Sequence, residues 1–328
     1  MRILRWICLL LGVGLLGIIV ANTNIEEAAH LVVRMEWGIA LVLLIYFATF
    51  LGDTASWHIT LRSVPLDGGW FYRLWLIRMI GEAFNNTLPA GGVGGEPIKA
   101  VLLKQHFDVA YDDGAASLFL AKTVNMISLT GFLAIGFILM QSAHGVPAYF
   151  PLVAGIGLGV LCMAILAFFL IQRFGASSSV ASWLTRWSRG RRLAAAIEHI
   201  TGVERKFEVF YARSPGRFAA ALVVAFSVWV VSIAEVYVAL WFLGHPVSWA
   251  EAWIIEAGTQ LVRTGTFFIP ASLGTLDGAL LLLCSAFTGS PTAGVAVVLA
   301  RRSRDILWIS LGFGLSLVLG RDNRSRAP

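Results

Sequence analysis

The chain has 328 residues, of which 58% are hydrophobic and 13% charged, with a mean hydropathy of +0.78. A water-soluble domain carries about 25% charged residues, so the composition excludes a soluble globule and, with it, the common soluble-enzyme classes. The 25 basic and 19 acidic residues leave a net charge of +6. In a soluble protein that surplus would point to nucleic acid, but here residues 173–217 hold nine basic residues against three acidic ones, and the rest of the chain is balanced.

A bilayer core about 30 Å thick takes roughly 20 apolar residues of helix. In chain order, full spans are predicted at 3–22, 36–60, 114–140, 148–172, 215–243 and 291–320. The run 3–20 follows Arg2 and Arg5 but has no small-x-small cleavage site before Asn22, so it reads as an uncleaved helix, not a leader. Two further apolar regions, 70–106 and 249–289, break at Pro89-Ala90-Gly91-Gly92-Val93-Gly94-Gly95 and at Pro270-Ala271-Ser272-Leu273-Gly274. Broken helices survive in lipid only where protein or a wet cavity satisfies the freed backbone groups. Each region is therefore predicted to be a helical hairpin that enters the membrane and turns back; two full crossings would preserve the same sidedness.

The loop charges then orient the chain. With both termini in the cytoplasm, Arg62, Arg73, the 173–217 segment and the tail Arg321, Arg324 and Arg326 all fall on the inner side, as the positive-inside rule requires. The expected location is a bacterial cytoplasmic (inner) membrane. Within 173–217, Leu193, Ile197, Ile200, Val203, Phe207 and Phe210 recur at helical spacing. This marks an amphipathic helix that either lies on an anionic lipid surface or packs on the protein's own membrane domain. Cys8, Cys162 and Cys284 sit singly in apolar runs, with neither disulfide nor metal-binding spacing.

The two interrupted regions resemble each other at an offset of 181 residues. Pro89-Ala90 matches Pro270-Ala271, Glu96 matches Asp277, and Lys122-Thr-Val-Asn125 stands at nearly the same distance as Arg302-Ser-Arg-Asp305. The predicted fold is an all-α polytopic membrane protein of two inverted repeats, each with two spans, one broken helical hairpin and a third span. Its divisions are 1–146, 147–320 and a cytoplasmic tail 321–328. Three crossings per half invert the second copy, and inverted repeats with broken helices are a transporter architecture.

Ionisable groups inside spans are functional candidates by default. Glu96 and Asp277 are positioned to pair with Lys122 and Arg302, locking the halves or exchanging the partner for a lipid head group. Lys99, Lys122, Arg263, Arg301 and Arg302 would meet phosphate, with the helix start at Pro97 adding its free N–H groups. Asn85 and Asn86 either cap the backbone or touch substrate. Glu235 reads as a lone carboxylate deep in its span and a candidate proton carrier, whereas Asp53 and His58 read as interfacial. Asn125, Asp305, Pro89, Pro270 and the tip glycines Gly94, Gly95 and Gly274 complete the candidate substrate-binding or gating set. No zinc-protease helix, nucleophile elbow or P-loop spacing is present, so no cofactor, metal or catalytic residue is expected.

The strings Asn86-Thr-Leu-Pro-Ala-Gly-Gly-Val-Gly-Gly-Glu96-Pro-Ile-Lys99, Pro270-Ala-Ser-Leu-Gly-Thr-Leu-Asp277-Gly and Arg302-Ser-Arg-Asp305 resemble the flippase-like transmembrane domain of the lysylphosphatidylglycerol synthases, over about 1–320. That family generally has Glu-Arg-x-x-Asp where this chain has Ala121-Lys122-Thr-Val-Asn125, and Glu where it has Asp277. The resemblance implies lipid translocation by a stand-alone membrane domain, without the soluble aminoacyl-transferase domain. The expected substrate is a phospho- or isoprenoid lipid. The alternative is a membrane-embedded enzyme or accessory subunit of lipid synthesis, such as hopanoid or glycolipid synthesis, working beside other lipid-biosynthesis enzymes.

Overall fold

Long apolar runs without internal proline favour helix wherever backbone groups must be satisfied within the segment, and helices follow. The computed structural model describes residues 35–87, 94–143, 149–173, 214–266 and 274–325, with His30 and Val33. The expected span 3–22, the turns with Pro89 and Pro270, and the amphipathic stretch at 193–210 lie outside the described residues.

The helices are α1 (Trp37–Thr60), α2 (Gly68–Thr87), α3 (Glu96–Phe107), α4 (Tyr111–Ser142), α5 (Tyr149–Arg173), α6 (Pro215–Phe242), α7 (Trp249–Gly265), α8 (Thr275–Thr288) and α9 (Pro291–Ser325). No strand occurs among the described residues. The chain is an all-α polytopic membrane protein. By length and composition α1, α4 and α6 can each cross a bilayer. The charged string at 301–305 lies within α9, which runs on unbroken to Ser325. The first five residues of the expected tail are thus helical.

Local chemistry sets the helix ends. Asp67 Oδ1 accepts from the Trp70 N–H at 2.7 Å and starts α2. Ser248 and Glu251 cap each other's backbone N–H groups at the start of α7, at 3.2 and 2.7 Å. Gly274, at φ 80°, leads into α8, and the left-handed Gly289 ends it.

Lipid is as apolar as the helix surfaces, so association rests on close packing and buried polar contacts. α1 lies along α6 with Gly38 against Phe242 and Gly52 against Val228, so the two run antiparallel. The other contacts nearly exchange between the halves: α2 packs on α9 as α7 packs on α4, and each α3 or α8 packs on the helix that follows it. Gly312 is what lets α9 cross α2, because a Cβ there would strike the Met79 carbonyl oxygen. A stack of Trp229, Phe132 and Trp253, with centroids 5.7 and 5.3 Å apart, joins α6, α4 and α7. Serines at crossings donate to neighbouring backbones, Ser56 to Ala221 O at 3.3 Å and Ser128 to Leu222 O at 3.2 Å.

Candidate functional site

Glycine and asparagine build the tip of the first hairpin. A Cβ on Gly95 would collide with the Gly81 carbonyl oxygen, so only glycine lets the start of α3 lie this close to α2. Asn85 Oδ1 accepts from the Gly95 N–H at 2.6 Å, and its Nδ2 donates to Glu96 at 3.3 Å. Asn85 is therefore a cap on the tip. Asn86 donates to the Glu82 carbonyl oxygen one turn back, at 3.0 Å. Gly94 is half-buried in the same turn.

From this tip runs a chain of alternating charges that touches α1, α2, α3 and α4, the described helices of the first half. Asp53 on α1 meets Arg78 on α2 at 2.7 Å, and Arg78 lies 3.9 Å from Glu82. Lys99 on α3 sits 3.0 Å from both Glu82 and Glu96. Glu96 then faces Lys122 on α4 at 3.9 Å. Three carboxylates meet three cations, and the chain is formally neutral. Lys99 is buried among carboxylates, not open to a cavity, while Lys122 is 45% exposed at the open end. Asn125 lies half-buried three residues further along α4.

The second half repeats the device. Asp277 on α8 caps the Gly274 N–H at 3.0 Å and takes a two-pronged bond from Arg302 on α9, 2.8 Å to each oxygen. Arg302 also lies 3.7 Å from Asp305, which meets Arg304 at 2.7 Å. Arg304 bonds both oxygens of Glu235 on α6. Arg301 lies 3.3 Å from Glu235 and pairs with Glu256 on α7, which also accepts from Gln260 at 2.8 Å. Four carboxylates meet three cations here. Arg263 is exposed on α7 and, among the described residues, makes no ion pair; its electrostatic neighbours include Asp305 and Tyr46.

The two chains approach each other across α1. Tyr46, Phe50 and Asp53 share one face at helical spacing. Arg304 of the second chain lies over the Tyr46 ring at 3.9 Å, and Arg78 of the first lies over Phe50 at 4.9 Å. Two expectations change. Glu235 is not a lone carboxylate but the node between two guanidiniums, and Asp53 is not merely interfacial but the end of the first chain. His58 keeps a local role, with Nε2 2.9 Å from the Pro65 carbonyl oxygen.

Sequence reading missed Arg78, Glu82, Glu256 and Arg304. The signals were present as Arg78–Glu82 and Glu256–Gln260 at i,i+4 within apolar helices, but a short motif search centred on the breaks passes over them. Pro89 and Pro270 lie outside the described residues. Among the described residues no group of His, Cys, Asp and Glu is arranged to hold a metal ion.

Residues 5–314 match the family described as the lysylphosphatidylglycerol synthase TM region. Among curated proteins, a UPF0104 membrane protein of Methanothermobacter thermautotrophicus is 23% identical over 322 residues, covering 92% of this chain and 90% of the relative. No solved structure matches the chain. Two ion-paired hairpins inside apolar helices thus occur in a multi-pass membrane protein that belongs to the lysylphosphatidylglycerol synthase TM-region family.

Proposed function

We propose that this protein is a flippase-like transporter that moves an amphiphilic phospho- or isoprenoid lipid across or within the cytoplasmic membrane. Arg263 carries the reading. It stands about 21 Å along α7 at 1.5 Å per residue, exposed and, among the described residues, without an ion pair. The other six cations of the two chains each pair with a carboxylate. An unpaired charge at such depth is costly in hydrocarbon, so its place is one that water or an anionic head group enters. The planar guanidinium matches a phosphate, donating two bonds at once. The hydrocarbon chains of the substrate stay in the bilayer. Asp277–Arg302 and Glu96–Lys122 act as the gates of the two hairpins, and the looser of the two, at 3.9 Å, opens first. The antiparallel course of α1 along α6 supports reading the halves as inverted, with 1–146 and 147–320 alternating around the shared charge.

The test is purified protein in liposomes carrying a fluorescent phospholipid, with the outer leaflet quenched chemically. Wild-type protein is expected to speed exchange between leaflets. Arg263→Gln should lower the rate at least about tenfold, the effect of losing one charge-assisted bond of roughly 1.5 kcal/mol, with thermal stability unchanged. Equal rates for both proteins, or no exchange by either, sink the proposal. Covalent change of the lipid, read by mass spectrometry, would favour a membrane-embedded enzyme.

A further inference from the structure

A second arginine is held in a different way, far along the chain from Arg263. Arg73, one turn into α2, places its guanidinium over the Trp70 ring at 4.9 Å and over the Phe107 ring at 5.4 Å. Trp70 and Phe107 themselves meet edge to face, with centroids 6.0 Å apart. Trp70 lies in the first turn of α2 and Phe107 ends α3, so the clamp closes the mouth of the first hairpin at the end opposite its tip. Arg73 is exposed, and among the described residues it makes no hydrogen bond and no ion pair.

We propose that this clamp is a lipid-binding site, in which Arg73 holds the phosphate of a membrane phospholipid beside the hairpin mouth. The two rings lie on one side of the guanidinium, and the side chain stays exposed, so its planar set of N–H donors remains available to an acceptor. An exposed arginine ordinarily loses side-chain freedom when it binds; here the two rings have already restricted it, so less is lost on taking a ligand. Arg62 and Lys104 are exposed at the same end, where Leu61, Leu103, Trp70 and Phe107 pack in one cluster. Of the acids there, Asp67 is engaged at the α2 cap, Asp108 closes α3, and Asp112 and Asp113 stand in the first turn of α4.

The exposed neighbours decide for a lipid over a free anion. Leu66 is 52% and Tyr72 61% exposed, and Tyr72 stacks on Trp75 at 5.8 Å, which makes an aromatic, apolar skirt of the kind found at the membrane–water boundary. The mouth of the second hairpin, residues 244–251 and 286–291, contains no Arg or Lys. The site therefore belongs to one end of the molecule and is not copied in the other half.

The experiment uses the full chain in detergent carrying Arg263→Gln, which removes the central site proposed above and makes the two readings independent. Native mass spectrometry follows titration with dioctanoylphosphatidylglycerol, with dioctanoylglycerol and with glycerol phosphate. One phosphatidylglycerol adduct is expected to weaken about tenfold, or 1.4 kcal/mol, on adding Arg73→Gln, and to weaken less on adding Arg73→Lys, which keeps the charge but not the planar stack. Dioctanoylglycerol should bind no differently in the variants. The inference is overturned if Arg73→Gln leaves phosphatidylglycerol binding intact, if glycerol phosphate alone binds as tightly as the lipid, or if Arg73→Gln weakens dioctanoylglycerol equally. A thermal midpoint that falls with Arg73→Gln would show the clamp to be a structural contact and would likewise overturn it.

Discussion

Glu235→Ala should destabilise the protein by about 3–5 kcal/mol, the usual cost of breaking a buried ion pair by removing one partner. The carboxylate is buried and takes bonds from Arg304 while lying 3.3 Å from Arg301. Its loss leaves two guanidiniums facing each other in an apolar interior, and Arg301 keeps only Glu256. The check is the unfolding midpoint in detergent, read by size-exclusion fluorescence. The conservative Glu235→Gln should show much of the same loss, because it keeps the shape and removes the charge. A midpoint within 1–2 °C of wild type would mean that water or lipid already neutralises this centre. In the liposome assay, a folded but inactive Glu235→Gln protein would separate a transport role from a structural one.

Gly95→Val is the second large effect. The added Cβ would run into the Gly81 carbonyl oxygen, which belongs to the backbone of α2 and has no rotamer to escape through. Expected destabilisation is about 3 kcal/mol, the upper end for overpacking, and the hairpin tip should open. The Asn85 bond to the Gly95 N–H and the contact of Lys99 with Glu82 would go with it. Gly274 is the control at the other hairpin. Its φ is 80° but a Cβ there meets nothing within 4 Å, so Gly274→Ala should cost only the backbone strain of about 1–2 kcal/mol. If the two substitutions cost the same, close approach is not what fixes the first tip.

The alternating chains also explain how so apolar a protein tolerates this much internal charge. Among the described residues, carboxylate–cation contacts stitch together α1 to α4, from Asp53 to Lys122, and α6 to α9, from Asp277 to Glu256. In lipid the hydrophobic effect does not drive helices together, so such contacts have a larger share in setting which helix meets which. Arg304 over Tyr46 and Arg78 over Phe50 place α1 between the chains. It is thus the one described helix whose aromatic rings meet a cation from each charge chain.

Much of this was legible one residue at a time. Apolar runs marked the helices, because a backbone in lipid must satisfy its own N–H and C=O groups. The proline–glycine breaks marked the hairpins, and the offset of 181 residues brought Glu96 into line with Asp277 and Lys122 close to Arg302. The sequence by itself thus determined the all-helical membrane class, the places where helices break and the paired acid–base motifs that follow them. Partnership was decided only by the tertiary structure. Glu235 became a node because α9 brings Arg301 and Arg304 to it, and Lys99 was withdrawn from the candidate phosphate contacts because Glu82 lies on the facing helix. Arg263 was singled out because, among the described residues, no carboxylate comes close enough to pair with it. Helix propensity and apolar pattern are local and survive in a string of letters; charge compensation depends on distances of 3–4 Å across segments many tens of residues apart, which only the packed chain defines.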